Sequence, residues 1–361
     1  MDGSCNMNKK PNWQKLFSFL FLLITFGVVL YVGFSGNDME ALIEALINLS
    51  PVYLLACLGC WMLYVLMDAL AIHHFLRMQG KKIKLWQSLH AAMTGVYYSN
   101  VTPGATGGQP MEMYRLSKYG VSIGISGSGM TVKFIVFQAV LLLTGTVLWL
   151  LNIPFVDAHT EGLKWFVLLG YVVNFFSIGL LVMMAISRRA VRWLIEGCIR
   201  IGIKLHLCKN PDASRQKWEN HCESFLSSVQ LVIRHPRDVL IQCLIALAQL
   251  MSLMLVIIAI YHALGLSGIS AGQLITMGVL LYIGASYTPL PGASGAQEGG
   301  FAVLFKGIFP DAQLFVALLL WRFSTYYLSI LVGAVMTVVE NVISLRKNRT
   351  KTKRQGVAND Q

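Results

Sequence analysis

The chain has 361 residues, 55% of them hydrophobic and only 13% charged, with a formal net charge of +12 at pH 7. A soluble domain carries about 25% charged residues, so the composition excludes an ordinary soluble enzyme and points to an all-α polytopic membrane protein. The surplus of Lys and Arg does not signal nucleic acid, because it is confined to alternate connections between apolar stretches.

In chain order, apolar runs at 16–35, 52–76, 128–151, 164–186, 238–263 and 314–343 are long enough to cross a hydrocarbon core of about 30 Å as helices. Lys9, Lys10 and Lys15 precede the first run, as in a signal peptide, but no small-x-small cleavage site follows it. A retained anchor behind a cytoplasmic segment 1–15 is therefore expected. The stretch DMEALIEALINL at 38–49 reads as a short amphipathic helix on the outer face. Lys and Arg cluster at 9–15, 77–84, 115–118, 188–237 and 346–354, whereas 36–51 and 152–163 contain none. This alternation is the positive-inside pattern, with both termini cytoplasmic. The long connection 187–237 holds ten Lys/Arg against four Asp/Glu, together with Trp193, Phe225 and Val229. It reads as an amphipathic hairpin on the cytoplasmic leaflet. That loop and the basic tail 346–361 are expected to meet anionic lipid headgroups.

Two further apolar regions, about 86–126 and 270–311, are interrupted by nearly the same phrase. Residues 103–110 read PGATGGQP and 291–298 read PGASGAQE, identical at five of eight positions. Pro103, Gly104, Gly107 and Gly108 in the first copy, and Pro291, Gly292 and Gly295 with Pro289 in the second, cannot continue a helix cheaply. Basic connections flank the first region on both sides, so it is expected to enter from the cytoplasmic face and return. The second follows a span running outward and should enter from the opposite face. The expectation is six full spans plus two re-entrant helical hairpins in a single domain, 16–345. Its halves, about 52–151 and 238–343, form an inverted repeat. Broken backbone at membrane depth is tolerated only within protein or beside a water-filled cavity, and exposed helix N-termini there favour an anion.

Ionisable residues inside spans cost roughly 2.5–3.5 kcal/mol each at a span centre, so they mark candidate sites. Glu112 follows the first phrase and Glu298 ends the second; Arg322 lies in the last span, within LLLWRFSTYYLSIL. Lys133 sits early in the third span and Asp68 in the second, near His73 and His74. Arg115 lies in the basic flank, Gln109 and Gln297 occupy the same position of the two phrases, and Tyr326 follows Arg322 at helical spacing. These nine residues are the candidate substrate-binding and translocation set.

There is no P-loop phrase and no His-Glu-x-x-His, so neither metalloprotease-type catalysis nor ATP-driven transport is expected. Cys57 and Cys60 lie within a span, and Cys198, Cys208 and Cys222 with His206 and His221 lie in the loop expected in the reducing cytoplasm. Their spacing fits no compact ligand pattern, so neither a disulfide framework, a metal nor a cofactor is expected.

TPGATGGQPMEMYRL and PLPGASGAQEGGFAVLF, followed by WRFSTYYLSILVG, resemble the flippase-like transmembrane domain of bacterial lysylphosphatidylglycerol synthases, also known as a stand-alone membrane protein. The resemblance covers about 12–345. It implies a bacterial cell-membrane protein that moves a phospholipid between leaflets, such as aminoacylated phosphatidylglycerol or another anionic or modified lipid. A role in antimicrobial peptide resistance follows from the same likeness. In the two-domain synthases a soluble transferase domain follows the membrane part; here only the basic tail is expected after it. Many family members carry Glu where Gln109 stands, which shifts the burden of a first-half carboxylate to Glu112. Two other functions fit the same residues: a transporter of a small solute or ion, and the membrane subunit of a lipid-modifying system. Small residues such as Gly127 and Gly129 permit close packing, leaving a homo-oligomer or a separate lipid-modifying enzyme as possible partners.

Overall fold

In a computed structural model of the chain, the described residues are 49–160, 164–187 and 223–340, with isolated positions at 27, 47, 189, 193 and 342. The expected first span at 16–35, the helix at 38–49, most of the 187–237 loop and the tail at 346–361 lie outside them. What is described is helical. The elements are α1 Pro51–Met78, α2 Leu85–Val101, α3 Gly108–Lys118, α4 Ile123–Leu151, α5 Ile153–His159 and α6 Lys164–Ile186. After them come α7 Glu223–Ile233, α8 Pro236–Ala263, α9 Ala271–Ala285, α10 Ala296–Leu304 and α11, which begins at Asp311–Arg322. A π turn, Phe323–Tyr327, interrupts α11, which then continues to Glu340. The helices α1, α4, α6, α8 and α11 are long and apolar enough to cross a membrane. The protein is an all-α polytopic membrane protein.

Local signals set the ends. Pro51 and Pro236 occupy the first turns of α1 and α8, where the missing N–H costs nothing. Ser270 Oγ accepts from the Gln273 N–H (3.3 Å), and Gln273 Oε1 accepts from the Ser270 N–H (3.0 Å), a reciprocal cap that starts α9.

The first helices of the two halves, α1 and α8, lie side by side and antiparallel. The Ser50 N–H reaches the Ala263 carbonyl (3.4 Å), Gln249 reaches Asp68 near the middle (3.0 Å), and His74 meets Asp238 (3.3 Å) at the far end. Because α1 leads into the hairpin α2–α3 and α8 into the hairpin α9–α10, their opposed directions set the two hairpins in opposite senses. Lys82, Lys84, Arg115, Lys118, Arg234 and Arg237 gather at the end of the bundle where α1 finishes and α8 begins.

Lipid tails are as apolar as Leu, so packing and small residues must hold the helices together. Gly170 of α6 lies against the Ile283 backbone, and Gly284 of α9 faces the Phe166 ring. On the other side Gly333 of α11 receives Tyr97 of α2. Thus each hairpin is gripped by a spanning helix. The main apolar core joins α8, α9, α10 and α11 through Leu250, Met254, Met277, Leu281, Phe301 and Trp321. A second core lies toward the basic end, where α7 contributes Val229 and Val232 to Phe75, Leu76, Leu116 and Met130. The expected amphipathic loop therefore turns part of its apolar face onto the protein. Trp165, Phe175 and Phe176 of α6 remain exposed, as a lipid-facing helix surface would be.

Candidate functional site

The repeated phrases fold alike and then diverge. Gly104 (φ 57°, ψ 26°) and Gly292 (φ 59°, ψ 23°) take the same left-handed conformation. So do the alanines that follow, Ala105 (φ 56°) and Ala293 (φ 52°). Thr106 Oγ1 donates to the Pro103 carbonyl (2.9 Å) and Ser294 Oγ to the Pro291 carbonyl (2.8 Å), so the Thr/Ser exchange preserves a hydroxyl that ties each turn. The paths part in the backbone of that same residue, right-handed at Thr106 (φ −66°, ψ −22°) but extended in ψ at Ser294 (φ −56°, ψ 144°). Gly107 is right-handed (φ −83°) and donates its N–H to Thr102 Oγ1 (2.9 Å). Gly295 is left-handed (φ 86°) and donates to Glu298 Oε2 (2.6 Å). The first break is capped from upstream by Thr102 and the second from within its own helix by Glu298.

Both 3₁₀ turns, Pro103–Ala105 and Pro291–Ala293, pack against one another. Beside the meeting point lies a cavity of about 580 Å³, within the range of ligand sites. Its wall carries two charged clusters. In the first, Lys133 Nζ of α4 lies 3.0 Å from Asp68 Oδ2 of α1 and 3.0 Å from both carboxylate oxygens of Glu112 on α3. Asp68 Oδ1 accepts a further bond from Gln249 Nε2 of α8 (3.0 Å). Gly95 of α2 makes room for Glu112; a methyl group there would overlap the carboxylate. The second cluster centres on Arg322, only 3% exposed. Its Nε lies 2.7 Å from Glu298 Oε1, Nη1 donates to the Gly292 carbonyl (3.2 Å) and Nη2 to Ser294 Oγ (3.3 Å). The guanidinium also sits 4.4 Å over the Tyr326 ring, a favourable cation–π placement. Tyr326 Oη in turn donates to the Asn100 carbonyl of α2 (3.2 Å), so this ring touches both hairpins.

Seven of the nine candidate residues line the cavity: Asp68, Gln109, Glu112, Lys133, Gln297, Arg322 and Tyr326. Glu298 stands behind the wall as the partner of Arg322. Arg115 lies elsewhere, at the basic end, where its Nη2 is 2.6 Å from Glu340 Oε2 of α11. His90 of α2 meets the same Glu340 and also bonds Tyr119 Oη through Nδ1 (2.6 Å). The sequence reading missed Tyr64, Gln138, Gln249 and Tyr282, all on the cavity wall. Gln138 is the one amide of its span and Gln249 shares its span with Gln242, and amides within such apolar runs are a signal the sequence carries.

Two buried polar atoms of the cavity wall have no partner among the described residues: Gln297 Oε1 and Trp321 Nε1. Parts of the rim, including Gly104, Ala105, Gln109, Tyr287, Pro289 and Leu290, are exposed. The wall also carries Asp68 and Gln249, from the middle stretches of two spanning helices, which places the cavity near mid-depth. No group of three or more His, Cys, Asp or Glu arranged to hold a metal occurs among the described residues.

Comparison with known proteins agrees with this architecture. A family model described as the lysylphosphatidylglycerol synthase TM region matches residues 18–333. A UPF0104 membrane protein of Archaeoglobus fulgidus is 27% identical over 288 residues, covering 76% of this chain and 81% of the relative.

Proposed function

The chain belongs to the lysylphosphatidylglycerol synthase transmembrane-region family, and from that premise we propose that it translocates a phospholipid between leaflets, the headgroup passing through the cavity between the two hairpin tips. One observation carries the reading: both broken hairpins contribute to a cavity at mid-depth whose largely apolar wall carries two charged clusters and whose rim is exposed. Unsatisfied polar groups at membrane depth require a protein, water or ligand partner, and Gln297 Oε1 and Trp321 Nε1 supply two such atoms. A headgroup brings the missing donors and acceptors, while the acyl chains leave through the exposed rim into lipid.

Arg322 supplies the cation for the phosphate. Its guanidinium is already fixed by Glu298, Gly292, Ser294 and Tyr326, so little ordering is left to pay on binding. The inverted halves provide two related ways of opening, one toward each leaflet. No nucleotide-binding phrase occurs in the sequence, so movement runs down a gradient or is coupled to an ion.

Reconstitution into liposomes tests this directly, with fluorescent phosphatidylglycerol and lysylphosphatidylglycerol as separate probes. Wild-type protein should speed exchange of at least one of them between leaflets, and Arg322→Ala should abolish the gain. Wild-type vesicles that match empty ones for both probes, yet pass a water-soluble solute, would instead favour a solute transporter.

A further inference from the structure

The first charged cluster does not balance. Asp68, Glu112 and Lys133 bring two carboxylates and one ammonium. Their side chains are only 8%, 5% and 15% exposed, so a surplus negative charge is held where water is scarce. Such a charge is costly unless it is neutralised. Other groups facing the cluster do not neutralise it. Tyr64 on α1 and Tyr282 on α9 are phenols, Gln249 on α8 is an amide, and Arg322 on α11 already has its own counter-charge beside it in Glu298.

The two carboxylates are not equivalent. Asp68 has separate donors on its two oxygens, Lys133 on Oδ2 and Gln249 on Oδ1. Among the described residues, Glu112 receives only Lys133, which both of its oxygens share. The group with fewer donors is the one whose charge is least supported.

We propose that Glu112 is a proton-binding site whose occupancy is coupled to the movement of hairpin α2–α3. The inference rests on the translocator reading above for its transport consequence, but not for the existence of the site. With Glu112 ionised, Lys133 is shared by two carboxylates and ties α3 to α4 and, through Asp68, to α1. With Glu112 protonated, Lys133 and Asp68 form a neutral pair, and α3 loses its charged tether. The proton thereby replaces an ion pair that holds the first hairpin, and Glu112 lies in the wall of the same cavity through which a headgroup would pass. Gln249 is the positioning residue: it gives the second oxygen of Asp68 a donor of its own, which Glu112 lacks among the described residues.

Two measurements test this separately. Infrared difference spectra of the detergent-purified full chain, titrated from acid to alkaline pH, should show a buried carboxylic-acid C=O band that vanishes as pH rises. The band should be missing in Glu112→Gln. In Asp68→Asn, where one carboxylate faces one ammonium, it should remain at acid pH but vanish at a lower pH than in wild type. The folding of that variant serves as the control if Glu112→Gln fails to fold. A wild-type spectrum with no such band, or a band retained in Glu112→Gln, overturns the site. In liposomes, transleaflet movement of the fluorescent lipids should depend on pH in wild type, and that dependence should be lost in Glu112→Gln at whatever rate remains. Equal pH dependence in both overturns the coupling. Vesicles that move no lipid defeat the translocator reading, while the infrared titration still decides the proton site.

Discussion

Arg322 and Glu298 face each other across the gap between α11 and α10, Nε to Oε1 at 2.7 Å, and both also hold the backbone of the second break. Glu298 fixes the Gly295 N–H and Arg322 fixes the Gly292 carbonyl, so the pair clamps the turn from its two ends.

Breaking one half of a buried ion pair leaves an uncompensated charge, at about 3–5 kcal/mol. Glu298→Gln should therefore lower the thermal unfolding temperature in detergent markedly. Arg322→Lys keeps the charge, but a single ammonium cannot reach Glu298, Gly292 and Ser294 together or lie flat on Tyr326. It should unfold with Arg322→Ala rather than with wild type. A Lys variant as stable as wild type would mean that charge alone, without the guanidinium fork, suffices.

The matched glycines should not tolerate substitution equally. Both Gly104 and Gly292 are left-handed, so either change to Ala costs about 1–2 kcal/mol in backbone strain. A methyl group at Gly104 would find only Thr106 Cγ2, at 3.9 Å, whereas one at Gly292 would strike the Tyr326 ring. Gly292→Ala should lose clearly more stability than Gly104→Ala, and adding Tyr326→Leu should recover part of the difference. Equal losses would show that the strain, not the ring, governs.

The fold was legible because lipid imposes a severe rule: spans must be long, apolar and helical. The runs at 52–76, 128–151, 164–186, 238–263 and 314–343 correspond to the spanning helices α1, α4, α6, α8 and α11. The two tips were legible because Pro and Gly are conspicuous in such a chain. Partnerships were not, since they depend on how helices distant in sequence rotate against each other. Asp68 and Gln249 lie on the first helices of opposite halves, and only their antiparallel contact joins them. Arg115 and Arg322 look alike as isolated cations, yet one meets Glu340 at the basic end and the other meets Glu298 at the cavity wall.

Glu340 joins α11 to both helices of the first hairpin, through His90 on α2 and Arg115 on α3. Its side chain is 28% exposed, so the ion pair itself should be worth less than about 1 kcal/mol. Glu340→Gln should thus leave thermal stability nearly unchanged. Hydrogen exchange at the start of α2 and the end of α3 should nevertheless rise, because two anchors loosen at once. Unchanged exchange would show that packing of Tyr97 on Gly333 is enough to hold the hairpin.

The surroundings of Glu112 can be disturbed without touching a charged residue. A Cβ at Gly95 would overlap the Glu112 carboxylate. Gly95→Ala should push that group away from Lys133 and weaken the cluster as removal of the carboxylate would. Alanine also favours a helix by about 1 kcal/mol over glycine, which partly offsets the clash, so the folded protein should remain available for study. Transport by Gly95→Ala in liposomes should be impaired with wild-type charges all present, and restoring space with Glu112→Asp in the same chain should recover part of it. Full activity in Gly95→Ala would mean that the position of Glu112 against Lys133 is unimportant.

Opposite entry of the two hairpins has a direct chemical consequence. The Lys82 site lies between α1 and the start of the first hairpin, and Lys306 lies between α10 and α11, at the return of the second; both are exposed. In a background with the native cysteines replaced, Lys82→Cys should react with a membrane-impermeant maleimide only after the vesicle or cell is opened. Lys306→Cys should react without opening. The distinction follows from the antiparallel α1 and α8, which carry their hairpins to opposite faces, and from the Lys and Arg gathered at one end. Labelling of both positions from the same side would require the second half to run parallel to the first. That arrangement is incompatible with the Ser50–Ala263 and His74–Asp238 contacts at opposite ends of the two helices.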